Sequence, residues 1–325
     1  MLGVPLSTRA AEPRVTVGLT RTMASAPIYI AAAKRYFAAE GLDVELKFLP
    51  TEDSVRRAVA SGAVTFAAVN LNAELFRTAV EHHLAAFAGL TMDQAGYAGN
   101  TFVIARPAYD AGLRSWNDLS GHRIGVDAVT SGTRYAFAQI ARKYALDEAA
   151  VRLIPLGDTA AQVRALERRD VDAAFVSSAA ALELHRKGRV VVLKRIGDEV
   201  PWQDRVIVSR TTTLANRRDM VEAFVRAYQR ATAEYAASFL QRDDGGDILA
   251  DEHSAEDVQI IASYARVATT TVPPLLPWCD KLGRLYESDV RNQVRFWQAQ
   301  KMLDESAAEA PLDRSFIVDH LGADP

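Results

Sequence analysis

Cysteine is nearly missing from this chain. Cys279 stands alone among 325 residues, so no internal disulfide can form and no cysteine-based zinc site can be built from it. That scarcity leaves the compartment open, because a periplasmic protein can also do without disulfides. An excess of either charge is missing as well. The 38 Lys and Arg offset the 41 Asp and Glu to a net −3, mixed along the chain. This excludes nucleic acid or a lipid surface held by bulk charge. No apolar run reaches the length of a membrane-spanning helix, and residues 1–14 lack the apolar stretch of a signal peptide. The protein is then either cytoplasmic or stripped of its leader; Ala10-Ala11-Glu12-Pro13 would suit a cleavage neighbourhood.

The motifs of common catalysts are missing too. There is no G-x-x-x-x-G-K-[ST] phosphate loop, no G-x-G-x-x-G after a strand, no H-E-x-x-H and no G-x-S-x-G. His82, His83, His122, His185, His253 and His320 show no metal-ligand spacing. Glu52-Asp53 and Asp243-Asp244 read as caps or loops, and the Gly/Asp-rich turn at 243–247 lacks the acidic spacing of a calcium loop. We therefore expect no catalytic residue, no metal and no cofactor.

What is present is an internal repeat. The strand at Val17-Gly18 and the strand at Ile124-Gly125-Val126 each run into a polar loop and then a helical pattern, 27–39 and 133–145. Ala33-Lys34-Arg35-Tyr36 aligns with Ala141-Arg142-Lys143-Tyr144. Next come strands at 42–49 and 151–156, then helices opened by Thr51-Glu52 and Asp158-Thr159 that end near Gly62 and Asp170. Buried strands follow at 64–69 and 171–176, ending in Asn70 and Ser177. Alternating strands and helices predict parallel sheets covered on both faces. The fold class is thus α/β: two doubly wound lobes. Apolar strands at 84–90, 101–105 and 206–209 flank two crossings, which give a discontinuous lobe I (14–100 plus 206–325) and a continuous lobe II (101–205). The patterns at 214–239 and 280–303 predict a helical tail packed back on lobe I.

In open α/β sheets a ligand sits beyond the carboxyl ends of the strands, against helix starts. That rule selects Ser25 and Tyr29 in the first loop and helix, with Thr130, Ser131, Gly132 and Thr133 as the repeat partner. Hydroxyls, a glycine and free N–H groups there suit an anion, although plain N-capping explains them equally. The same rule selects Asn70 and Asn72 with Ser177 and Ser178, then Thr91 and Met92 near the first crossing and Trp202 at the second. For Tyr29 and Trp202 the alternative is core packing. Arg21, Arg134 and Arg205 lie near these loops, with Arg134 the first choice for holding an oxyanion.

Trp116-Asn117-Asp118-Leu119-Ser120-Gly121-His122-Arg123-Ile124-Gly125-Val126 resembles the D-L-K-G-K-x-I-G-V element of ABC-transporter substrate-binding proteins. Ala26-Pro27-Ile28-Tyr29-Ile30-Ala31, followed by Tyr36-Phe37-Ala38-Ala39-Glu40-Gly41-Leu42-Asp43-Val44, resembles the opening of their nitrate/sulfonate/taurine type, SsuA-like and NMT1/THI5-like. Val171-Asp172-Ala173-Ala174 resembles a third element, and the likeness runs over most of 14–240. Where that opening carries a glycine, Arg35 stands here, an exchange expected on a helix surface.

The resemblance implies a type II periplasmic binding protein, its two lobes joined by a two-crossing hinge. It implies a monomer in the periplasm that captures a small organic anion (sulfonate, carboxylate or aromatic acid) and passes it to an inner-membrane ABC permease. It places pocket roles on Ser25, Asn70, Thr130 to Thr133 and Ser177. The alternative it carries is a THI5-like pyrimidine-precursor synthase; that branch uses a cysteine-rich motif, against which the lone Cys279 argues.

Overall fold

The computed structural model describes residues 14–243, 249, 253–304 and 311–317. The readings on 1–13, on 244–247 and on His320 lie outside the described residues. The first repeat runs β1 (Arg14–Leu19), α1 (Ala26–Ala33), α2 (Tyr36–Ala39), β2 (Asp43–Phe48), α3 (Glu52–Ser61), β3 (Phe66–Asn70), α4 (Ala73–His82) and β4 (Leu84–Asp93). The second runs β5 (Asn100–Ala105), α5 (Arg106–Asp110), β6 (Arg123–Val126), α6 (Gly132–Lys143), β7 (Arg152–Pro155), α7 (Thr159–Arg168), β8 (Ala173–Ser177), α8 (Ser178–Arg186) and β9 (Val190–Arg195). After it come β10 (Trp202–Arg210), α9 (Thr211–Asn216), α10 (Arg218–Phe239), α11 (Ser254–Ala265) and α12 (Glu287–Ala299).

These strands form two five-stranded sheets, ordered β2-β1-β3-β10-β4 and β7-β6-β8-β5-β9. The orders are equivalent, as the repeat requires. In each sheet the first three strands are parallel, with Val17 opposite Leu46 and Phe66, and Ile124 opposite Leu153 and Ala173. The fourth is not. β10 runs antiparallel to β3 and β4, and β5 antiparallel to β8 and β9. The purely parallel sheets expected from strand–helix alternation are therefore mixed. Both exceptions are the strands that follow a crossing. A chain leaving one sheet at its carboxyl edge enters the other at its carboxyl edge, so it must run downward through parallel neighbours.

Local chemistry sets the element ends. Thr51 and Ser54 form a reciprocal capping box at the start of α3, and Gly62 ends it in the left-handed region at φ 77°. The long helix expected over 27–39 is instead α1 and α2, separated at Lys34-Arg35. Arg35 adopts φ 59°, ψ 30°, so it is the break between two helices rather than a position on a helix surface. A glycine enters that region freely, whereas a side chain there costs about 1–2 kcal/mol.

The tail supplies much of the first sheet's cover. Phe224 of α10 stacks on Phe37 at 5.0 Å and meets Phe66 at 4.5 Å. Lys34 is tied to Glu234 of α10 and lies 2.9 Å from Asp257 of α11. On the other side, α12 reaches the second repeat, where the Tyr135 hydroxyl donates to buried Asp289 at 2.6 Å. Cys279 is buried in the first core, where burial pushes its thiol well above the ordinary range.

The Arg35 break generates a test. Arg35→Gly should raise stability by about 1 kcal/mol, read as a higher melting temperature, whereas Arg35→Val should lower it; equal melting of all three forms would contradict the strain.

Candidate functional site

Two adjoining cavities open between the sheets, about 370 Å³ and about 1000 Å³ in volume. Both are lined by Thr22, Asn70, Asn100, Thr159 and Asp204. The walls come from the carboxyl ends of strands in both sheets and from the helix starts beyond them.

The crossings form the floor. β4 ends in Asp93, whose carboxylate accepts from the Asn100 backbone N–H at 3.1 Å, from the Asn100 side-chain amide at 3.0 Å and from Trp202 Nε1 at 3.1 Å. One buried carboxylate thereby joins the first crossing to the second. Gly99 packs so closely that an added Cβ would collide with that carboxylate. Trp202 in turn lies against Gly132 at the start of α6.

The large cavity gathers Asn70, Asn72, Thr130, Ser131, Gly132, Thr133 and Trp202. Asn72 is partly spent, accepting from Leu75 N–H as the cap of α4. Ser131 donates to the Ala128 carbonyl and pairs with Thr133, each at 2.8 Å. The small cavity gathers Asn70 again with Thr91, Ser177 and Ser178. Ser177 caps α8, and Ser178 bonds the Gly99 backbone. Thr91 is 2% exposed and its hydroxyl has no hydrogen-bond partner among the described residues.

Four expected residues line neither cavity. Tyr29 is fully buried and stacks on Tyr264 at 5.0 Å, so its ring is core. Ser25 is fully buried before α1, behind Arg21 to Ala24, which do line the small cavity. Met92 packs in β4 beside Trp278. Arg134 turns toward α12, bonding Glu148 at 2.8 Å and covering the Phe296 ring, because the first turn of α6 presents that face to the tail.

The charge of the site is the larger surprise. The two linings hold Glu52, Asp53, Glu74, Asp93, Asp127, Asp158 and Asp204, against Arg21, Arg56 and Arg205. Arg205 is 4% exposed and bonds Glu52 at 2.9 Å, Asn70 and the Ala68 carbonyl. Arg56 pairs with Asp53 and Glu74. Arg21 donates to the Tyr264 carbonyl and lies 3.6 Å from the Phe48 ring centre. Asp127 accepts from Gln162. The Asp204 carboxylate accepts no hydrogen bond among the described residues. Burial and the neighbouring Asp93 push Asp204 up to about 8, Glu52 and Asp127 add to this, and Arg205 opposes it. Burial pushes Asp93 up to about 6 against the hydrogen bonds from Asn100 and Trp202.

Asp204 had one signal in the sequence, an acid just before the apolar run Val206-Ile207-Val208 at a crossing. Ala265, Val267, Leu275 and Pro277, which complete the small cavity, had none. They arrive from the tail. Among the described residues no group of three His, Cys, Asp or Glu could hold a metal ion, and no helix is long and apolar enough to cross a membrane.

A family model described as NMT1/THI5 like matches residues 22–238. The chain belongs to the NMT1/THI5-like family. No curated protein matches it by sequence. The fold is shared with solved substrate-binding proteins. The alkanesulfonate-binding protein SsuA from Xanthomonas axonopodis pv. citri, bound to MOPS, is 15% identical, with 90% of this chain and 96% of that one covered and a TM-score of 0.67. The periplasmic aliphatic sulphonate binding protein SsuA from Escherichia coli is 11% identical, with coverages of 93% and 98% and a TM-score of 0.70. The periplasmic nitrate-binding protein NrtA from Synechocystis PCC 6803 is 13% identical, with coverages of 90% and 83% and a TM-score of 0.66. This NMT1/THI5-like chain therefore has the periplasmic-binding-protein fold, two mixed sheets facing a cleft.

Two measurements follow. Asp93 and Asp204 repel one another and titrate as a pair raised above the usual carboxylate range, so the stability they contribute is lost as pH rises through that raised range. The melting temperature should fall between pH 5.5 and 8.5, and Asp204→Asn should flatten that slope; an unchanged slope would remove Asp204 as its source. Gly99→Ala should destabilise by about 1–3 kcal/mol through overpacking against Asp93, checked by denaturant titration.

Proposed function

We propose that this protein is the solute-binding component of an ABC importer, which captures one small organic molecule in the cleft and delivers it to an inner-membrane permease. The observation that carries this reading is the placement of both cavities between the sheets, lined by paired loops of the two repeats. Lobe I (14–100 plus 206–325) and lobe II (101–205) then close over the solute about the two crossings, and the protein works as a periplasmic monomer. The family and the shared fold support this reading.

Binding without turnover is part of the proposal. Cys279 is buried against Tyr228, away from the cleft, and the described histidines line neither cavity. These facts favour binding over the pyrimidine-synthase alternative. The organic-anion class rests on the helix starts and on three arginines. Arg134 faces the tail and Arg205 is held by Glu52, which leaves Arg21 and the start of α6 as its support.

A thermal-shift screen of sulfonates, aromatic acids, pyrimidines and aliphatic or aromatic amines tests the reading. At least one compound should raise the melting temperature, reduce the radius of gyration in solution scattering and be recovered unchanged. Chemical conversion of a stabilising compound, or stabilisation by none, would contradict it.

A further inference from the structure

We propose that the solute carries a protonated nitrogen, an ammonium or amidinium group, and that the Asp204 carboxylate receives it where the two cavities meet. This inference rests on the binding reading above and names the chemical class of the solute.

Asp204 lies at the meeting point, since it lines both cavities. It is the part-exposed side chain in a strand whose next five residues are buried. Its carboxylate accepts no hydrogen bond among the described residues, whereas each other acid of the floor is held: Asp93 by Asn100 and Trp202, Glu52 by Arg205 and Thr20, and Asp127 by Gln162. A carboxylate that accepts no hydrogen bond among the described residues and lies among other acids is a poor place for a negative charge. The groups around it deepen this. Asp93, Glu52 and Asp127 repel it, and Arg205, the one cation acting on it, is already shared with Glu52. An arriving anion would meet the same field and lose energy to it. A cation would gain from all of these carboxylates at once.

A second observation lies at the wall of the same space. The Thr91 hydroxyl is buried and unpartnered at the wall of the small cavity. A buried hydroxyl without a partner loses free energy. The remaining hydrogens of an ammonium or amidinium would satisfy its oxygen. Part of the wall is apolar, built from Val267, Leu275 and Pro277, so it suits the hydrocarbon body of the same solute.

The pH dependence has a definite sign. Burial and its acidic neighbours keep Asp204 protonated to about pH 8, so capturing a cation there releases a proton. Affinity for the cation should therefore rise with pH, by up to about tenfold per unit below that range. An anion would bind less well as pH rises.

The experiment uses matched probes on the full chain: benzamidine and phenethylamine against benzoate, phenylacetate and benzenesulfonate, by thermal shift and calorimetry at pH 6, 7 and 8. We expect stabilisation by the amidine or the amine alone, tighter at pH 8 than at pH 6. In Asp204→Asn that affinity should fall at least tenfold, and in Thr91→Val by a smaller factor; Asp204→Ser replaces the Asn variant if it fails to fold. Stabilisation by the anions, or cation binding unchanged in Asp204→Asn, overturns the proposal while leaving a binding protein. Stabilisation by no probe counts against both.

Discussion

The Asp93 carboxylate is the constraint on which the rest of the structure depends. It is buried, it accepts from both the backbone and the side chain of Asn100, and it accepts from the Trp202 indole. Those donors belong to the two segments that cross between the sheets. A buried carboxylate is tolerated only when donors replace the water it has lost. Here the donors it needs come from the two crossings themselves. Trp202, held in place by Asp93, then packs on Gly132 at the start of α6, and both line the large cavity.

The same crossings explain the sheet order and the charge of the cleft. A strand that enters from the carboxyl edge must run antiparallel to its neighbours, and its first residues lie in the cleft. That places Asp204 and Arg205 of β10, and Asn100 of β5, at the floor. Arg205 is neutralised by Glu52 from the start of α3, so the cation nearest the floor is used in holding the first sheet's own loop. The balance of charge that remains is negative.

Much of the fold was legible because periodicity and capping act locally. Thr51 and Gly62 bound α3 where the sequence places its ends, and the paired loops after each repeated strand line the cavities. Asn70, Asn72, Thr130 to Thr133, Ser177 and Ser178 were reachable by the rule that ligands meet strand carboxyl ends. Arg35 was not legible as a helix break, since an arginine in a helical pattern carries no sign of a left-handed backbone. Tyr29 and Arg134 had the right chain position and the wrong direction. A helix position does not say which neighbour its side chain faces until the neighbours are in place.

By itself the sequence determined the two repeats, the alternation of strand and helix, the loops that open each helix and the family likeness, all of which depend on residues close together in the chain. The tertiary structure alone decided the antiparallel strands, the apolar wall that the tail brings to the small cavity, and the company of each charge. Arg205 with Glu52, Arg134 with Glu148 and Asp204 without a donor among the described residues are outcomes of contacts between distant segments. Electrostatic energy depends on distance and on exclusion of water, and neither can be read from position in a chain.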